Sequence, residues 1–243
     1  MTIPLAIRAR GIHVDFEVFT DRRAGLKSRL VKRADATGKT VVRAIQGVDL
    51  DVYEGDTVGI VGLNGSGKST LLSAIAGVLP LSRGELLVAD EPRLMGVGSA
   101  LIGEASGRRN IRLGCLALGM PKGEIDERMD DMIAFTELGE AIDRPLNTYS
   151  SGMRARVQFV VATAVSPRIL LIDEALGVGD KDFRTKSRQR IEEIISQAGT
   201  LLMVNHSLNE LKAFCTRGVW LADGQVKMDA GIDEVITAYE AEG

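Results

Sequence analysis

Cysteine is scarce, with two residues in 243, Cys115 and Cys215. They lie far apart and without metal-ligand spacing, which excludes a disulfide scaffold and a cysteine metal site and predicts free thiols in a reducing compartment. Excess positive charge is missing as well: the net charge of −3 argues against a general nucleic-acid binder. No apolar run approaches the roughly 20 residues that cross a bilayer. The first ten residues, with Pro4, Arg8 and Arg10 around a short apolar stretch, do not read as a leader peptide. Internal repeats, low-complexity stretches and coiled-coil heptads are also lacking. What is left is an ordinary globular composition, 45% hydrophobic and 26% charged, with ample length for a core. The expectation is a cytoplasmic protein that reaches a membrane only through a partner.

The chain centres on Gly62-Leu63-Asn64-Gly65-Ser66-Gly67-Lys68-Ser69-Thr70. An apolar run, Thr57 to Val61, precedes it and a helical pattern, Leu71 to Ala76, follows. Strand, glycine-rich loop and helix form the context that a Gly-x4-Gly-Lys-Ser/Thr phosphate loop requires. Its glycines let backbone N–H groups turn inward toward a phosphate, and the helix N-terminus adds partial positive charge. Lys68 is expected to reach the β- and γ-phosphates, and the Ser69 hydroxyl to ligate Mg2+. A nucleoside triphosphate site is predicted.

Residues 5–19 alternate like an edge strand, and 47–52 alternate again. Between them, 21–39 carries seven basic residues (Arg22, Arg23, Lys27, Arg29, Lys32, Arg33, Lys39) against Asp21 and Asp35. It reads either as a solvated hairpin loop or as a surface facing anionic lipid head groups or a pyrophosphate. A turn at 79–85 leads to a short strand at 86–88. From about residue 97 to 150 the pattern turns helical, with helices over 107–118 and 122–138, and looks like an insertion into an α/β core. Ile169-Leu170-Leu171-Ile172-Asp173-Glu174 reads as a buried parallel strand ending in two acids, where open α/β sheets bind ligands. Asp173 is assigned to the Mg2+ shell, and Glu174 to positioning and polarising the attacking water. A helix over 182–197 and a strand over 200–204 follow. The strand ends at Asn205-His206, ahead of Ser207-Leu208-Asn209-Glu210, which has capping-box spacing. That puts His206 on the expected phosphate edge as a γ-phosphate sensor. Strands around 219–221 and 225–228 close the core, and no function is read into the acidic tail from Asp229.

One further stretch fixes the class. Tyr149-Ser150-Ser151-Gly152-Met153-Arg154-Ala155-Arg156 places a serine hydroxyl and glycine N–H groups at a helix N-terminus, which suits a second phosphate clamp. It resembles the signature motif of ATP-binding cassette (ABC) ATPases. With all motifs in the family's order, the resemblance covers nearly the whole chain. It implies one ABC nucleotide-binding domain over 1–243, an α/β fold with a RecA-like P-loop core, an antiparallel β-subdomain and a helical subdomain at about 97–158. It also implies ATP and Mg2+ as ligands, with Ser151 among the nucleotide-binding residues, and a homodimer in which Ser150 and Gly152 of one subunit face the γ-phosphate on Lys68 of the other. By position Phe16 is the adenine-stacking aromatic, with Phe19 as the alternative. Leu176-Gly177-Val178-Gly179-Asp180 matches the loop that crosses the dimer interface, with Asp180 as its acid.

Within the family, Val97 to Ala100, Ser106-Gly107-Arg108-Arg109-Asn110-Ile111 and Leu116-Ala117-Leu118-Gly119-Met120 resemble the ATPase subunits of teichoic-acid, O-antigen and galactan exporters. The basic segment before residue 40 is similar to theirs too. This implies a peripheral subunit on the cytoplasmic face of the membrane, working with a separate permease on a glycan linked to a polyprenyl pyrophosphate. Nucleic acid is not an expected partner, and no C-terminal carbohydrate-binding domain is expected. An exporter of a drug or small lipid is the alternative. One departure stands out: Leu94-Met95-Gly96-Val97-Gly98 has no polar side chain where the family places a glutamine or glutamate near residue 96.

Overall fold

The computed structural model describes residues 3–19, 39–95, 101–173 and 181–242, except for the side chains of residues 19, 39, 181 and 182. In chain order, β1 is Leu5–Phe19, β2 Lys39–Tyr53, β3 Thr57–Val61, α1 Lys68–Ile75, β4 Arg83–Val88 and β5 Arg93–Met95. Then come α2 (Gly107–Ala117), α3 (Lys122–Thr136), two short 3-10 turns (Gly139–Asp143, Leu146–Thr148) and α4 (Ser151–Ala162). The rest is β6 (Ile169–Asp173), α5 (Lys181–Gln197), β7 (Thr200–Val204), α6 (Leu208–Phe214), β8 (Arg217–Ala222), β9 (Gln225–Gly231) and α7 (Ile232–Glu242). The chain separates into two compact units, residues 1–90 with 207–243, and residues 91–206.

In the first unit β1 pairs antiparallel with β2, from Leu5↔Tyr53 to Phe19↔Lys39, and with β4 through Ile7↔Val88. Alternation drives this sheet: Ile7, Ala9, Ile12 and Val14 are buried, as are Val48, Leu50 and Val52, while Arg8 and Arg10 face outward. The phase slips between Ala9 and Ile12, where Gly11 takes a φ of 54°. β3 runs parallel to β8, and β9 returns antiparallel through the Asp223-Gly224 turn. Arg217 locks the start of β8 by donating to Asp229 at 2.7 and 2.6 Å, to Asp56 at 2.9 Å and to the Asp51 carbonyl at 2.8 Å. The acidic tail forms α7, which buries Ile232, Val235 and Ile236 and sets Tyr239 edge-on to Trp220 at 5.6 Å.

In the second unit β5, β6 and β7 form parallel pairs, with Leu94↔Leu171 and Leu171↔Leu202 in register. β7 is buried along its whole length and β6 as far as Ile172, as their unbroken apolar runs require. The inserted helices build their own core from Ile111, Cys115, Ile125, Met129, Ile142, Leu146, Val157 and Val161. α2 approaches α4 through Gly114, where a Cβ would collide with Val161 Cγ1 and lie 3.0 Å from its Cγ2. α3 stops at Thr136 rather than at 138, because Glu137 turns left-handed (φ 56°) and the Thr136 hydroxyl caps the Ile133 carbonyl at 2.6 Å. Below it, the rings of Phe135, Phe159 and Phe183 lie 5.7–5.8 Å apart, with the Arg156 guanidinium 4.6 Å from the Phe183 ring centre.

Candidate functional site

The phosphate loop leaves β3 at Val61 and enters α1 at Lys68. Its shape depends on glycine. Gly62, Gly65 and Gly67 have φ of 152°, 84° and 104°. A Cβ at Gly62 would run into the Leu221 carbonyl, and one at Gly67 would come within 2.5 Å of the Ala44 carbonyl. As N-cap of α1, Gly67 offers no capping side chain, and no acid occupies the first turn, so that turn presents N–H donors to an incoming anion. The Lys68 ammonium curls back onto the loop and donates to the Gly62 and Leu63 carbonyls at 2.8 and 2.9 Å. Ser66 is buried, and its Oγ has no hydrogen-bond partner among the described residues. Asn64 and Ser69 are exposed, and Thr70 is half-buried. Positive-φ glycines, an uncapped helix start and a lysine over the loop fit a polyphosphate. The exposed Ser69 hydroxyl and the Asp173 carboxylate are hard oxygen donors of the kind Mg2+ takes.

The loop is propped from outside by residues that the motif does not contain. The Gly224 N–H donates to the Ser66 carbonyl at 3.0 Å, and Gly224 accepts from the Gln46 N–H at 2.8 Å. Gln46 Nε2 donates to the Asp223 carbonyl at 2.8 Å. The signal was present in the sequence as an Asp-Gly pair between two apolar runs, the preferred dipeptide of a tight hairpin.

In the second unit, Asp173 is the last residue of β6, half-buried and in register with Val204 at the end of β7. His206 follows two residues later and is exposed, so the parallel pair brings both to its C-terminal edge, as the strand pattern predicts. Ser207 caps α6, accepting from the Glu210 N–H at 3.4 Å. Glu174, Asp180 and the Gly96–Ala100 stretch lie outside the described residues, as does the basic 21–38 segment. Phe16 pairs with Val42 in the first unit and is 37% exposed, while the side chain of Phe19 lies outside the described set.

Ser150 is the N-cap of α4, and its Oγ accepts from the Met153 N–H at 3.2 Å. The bond occupies a lone pair and leaves the hydroxyl proton to donate elsewhere. Ser150 and Ser151 are exposed and Gly152 half-buried, so this helix N-terminus faces outward. The rest of the motif is scaffold. The Tyr149 hydroxyl donates to the Ala141 carbonyl at 2.5 Å, and burial pushes its phenol up. Arg154 binds the Leu146 and Asn147 carbonyls at 3.0 and 3.3 Å. Arg156 donates to the Thr136 carbonyl at 3.1 Å and to Glu137 at 3.0 Å. Hydrogen bonds from Lys186 first, and from Arg156, hold the Glu137 carboxyl below its usual range. Ahead of the motif, buried Asn110 accepts from the Ile102 N–H at 2.7 Å, and its Nδ2 donates among the Ile102, Ala105 and Ser106 carbonyls at 2.9–3.2 Å.

Solved structures with this arrangement are ATP-binding cassettes. One, dimeric and in a post-hydrolysis state with ADP and Pi, superimposes with a TM-score of 0.68 over 93% of this chain and 98% of that one at 22% identity. Another, the ATP-binding subunit of an ABC transporter, gives 0.70 over 100% and 95% at 21% identity. The α/β cassette fold expected from the motifs is therefore the fold observed. Residues 45–177 match the family described as ABC transporter, and the chain belongs to that family. It is 43% identical over 198 residues to the teichoic acids export ATP-binding protein TagH of Enterococcus faecalis, a match covering 82% of this chain and 44% of that protein. The proteins of the same name from Bacillus cereus and Lactococcus lactis are 39% and 35% identical over 82% and 98% of this chain, and over 36% and 51% of theirs. The chain thus spans about half or less of these relatives. Among the described residues no helix is long and apolar enough to cross a membrane.

Proposed function

We propose that this chain is the ATP-hydrolysing subunit of an exporter that moves a polyprenyl-pyrophosphate-linked glycan of the teichoic-acid type across the cytoplasmic membrane. The observation that carries this reading is its 35–43% identity, over most of its own length, with curated teichoic acids export ATP-binding proteins. The cassette fold, the phosphate loop and the outward-facing N-terminus of α4 support the motor. In this reading Phe16 stacks on adenine, while residues 62–70 wrap the phosphates with Lys68 neutralising their charge. Mg2+, held by Ser69 and Asp173, supplies charge neutralisation at the phosphate oxygens when bound. Glu174 orients and polarises the attacking water, and His206 senses the γ-phosphate. Two copies close over two ATP molecules, with Ser150, Ser151 and Gly152 of each meeting the nucleotide of the other and Asp180 crossing the interface. Hydrolysis removes the shared ligand and reopens the pair, and this cycle drives a separate membrane-spanning permease.

The test is depletion of the protein in its native cell, followed by mass spectrometry of the polyprenyl-pyrophosphate lipids. Accumulation of a long lipid-linked glycan inside the cell is expected. An unchanged carrier pool refutes the cargo and leaves the motor to be judged by a Glu174→Gln variant, which should hold ATP without turning it over.

A further inference from the structure

Beside the phosphate loop, within the first unit, lies a cavity of about 320 Å3 that shares Leu63 to Ser66 with the loop and reaches beyond it to residues given no part in nucleotide binding. Its lining includes Leu63 to Ser66 of the loop, and Trp220 and Lys227 of the β8–β9 hairpin. Tyr239 and Glu242 of α7 and Asp223 of the hairpin turn complete the polar part of the lining. We propose that this cavity is an effector site for an amphipathic organic ammonium, an apolar body carrying a primary amine, whose occupancy tightens nucleotide binding by the adjacent loop. The proposal deepens the nucleotide-binding reading and rests on it for the regulatory half.

Charge decides the class of ligand. The lining carries two carboxylates, Asp223 and Glu242, against one cation, Lys227. α7 ends here with no basic residue in its last turn, so its carbonyl-rich C-terminus adds negative potential. Asp223 forms no ion pair among the described residues, whereas Glu242 takes its cation from β9. Lys227 shows what the cavity holds well: its ammonium pairs with Glu242 and stands 4.2 Å from the centre of the Trp220 ring. An indole face beside a carboxylate is an ammonium site. With Lys227 serving Glu242, the Asp223 carboxylate and the Tyr239 ring offer a second cation the same two elements. The apolar remainder that reaches the surface, Leu63 and Ala222, suits the ligand's body.

The coupling is short, one peptide bond from Asp223 to Gly224 and one hydrogen bond from Gly224 to Ser66. Asp223 belongs to the turn whose Gly224 N–H holds the Ser66 carbonyl and whose own carbonyl is held by Gln46. An ammonium on the Asp223 carboxylate pins that turn, and a pinned turn leaves the phosphate loop less to order when nucleotide arrives.

Trp220 is the single tryptophan of the chain, so intrinsic fluorescence reports this cavity directly. Phenethylammonium is titrated into the nucleotide-free protein at constant ionic strength. A saturable change with a dissociation constant on the order of 1 mM is expected for a ligand this small. Asp223→Asn keeps the turn, since Asn-Gly is an equally good hairpin dipeptide, and should weaken binding about tenfold. A change that does not saturate, or that Asp223→Asn leaves intact, overturns the site. With the amine at saturation, Mg-ATP should bind about threefold more tightly, and by linkage ATP should tighten the amine by the same factor. ATP affinity indifferent to the amine overturns the coupling. A protein that binds the amine and no nucleotide at all overturns the nucleotide reading while the ligand site stands.

Discussion

Gly114 sits mid-helix in α2, where glycine costs about 1 kcal/mol relative to alanine, so helix propensity alone makes Gly114→Ala stabilising. The packing reverses that sign. The new methyl would press into both γ-methyls of Val161, a β-branched side chain with no exposure and one strongly preferred rotamer in α4. Overpacking of this kind costs about 1–3 kcal/mol, so the expected net is a destabilisation of about 1 kcal/mol. Val161→Ala alone should cost about 2 kcal/mol by opening a cavity. In that background the Gly114 methyl enters vacated space and recovers both the propensity and part of the lost contact, so the same substitution should stabilise by about 1 kcal/mol. The coupling between the sites is then about 2 kcal/mol, readable from urea unfolding of the parent, both single variants and the double variant. Gly123→Ala in α3 is the control, since a Cβ there meets nothing within 4 Å and only propensity acts. If Gly114→Ala stabilises the parent, or shifts both backgrounds equally, the close approach of α2 and α4 is not what keeps glycine at 114.

Two other outcomes follow from buried polar groups. Asn110→Ala strips the 101–106 segment of the side chain that satisfies its backbone, and should cost about 2–4 kcal/mol with faster amide exchange confined first to that segment. Burial pushes the Cys215 thiol up to about 12 from a reference of 9.0. The unfolded chain therefore sheds this proton first, and between those values folding loses stability as pH rises, by up to about 1.4 kcal/mol per pH unit. The difference in alkaline unfolding between the parent and Cys215→Ala should show that slope, while no slope from this group appears below pH 8.

The sequence makes the site's strands and loop legible because each is written in one continuous stretch: apolar run, glycines, Lys68, and again apolar run, Asp173. Helices α2, α3 and α4 are legible from period and caps. β5 is not, since the three residues Arg93–Met95 are too few to show alternation and only their parallel partner β6 makes them a strand. α7 hid under its acids, although Ile232, Val235, Ile236 and Tyr239 keep a helical spacing that its packing on β8 and β9 explains. The support beneath the phosphate loop joins Gln46, Ser66 and Gly224; the Asp223-Gly224 pair signals its hairpin, but the bonds from Gly224 to Ser66 and from Gln46 to Gly224 are made by backbone groups, which carry no residue signature of which distant positions meet.

If the proposed function holds, Ser150 answers to two demands through one oxygen. As the N-cap of α4 it could be exchanged for threonine, asparagine or aspartate with the helix intact, because each supplies an acceptor for the Met153 N–H. Aspartate alone among them carries no proton to turn away from the helix, and it would set a full negative charge where the α4 dipole is most positive. The position is therefore free to drift in shape but not in polarity: a phosphomimetic exchange would preserve the fold of this motif while erasing its welcome for an anion.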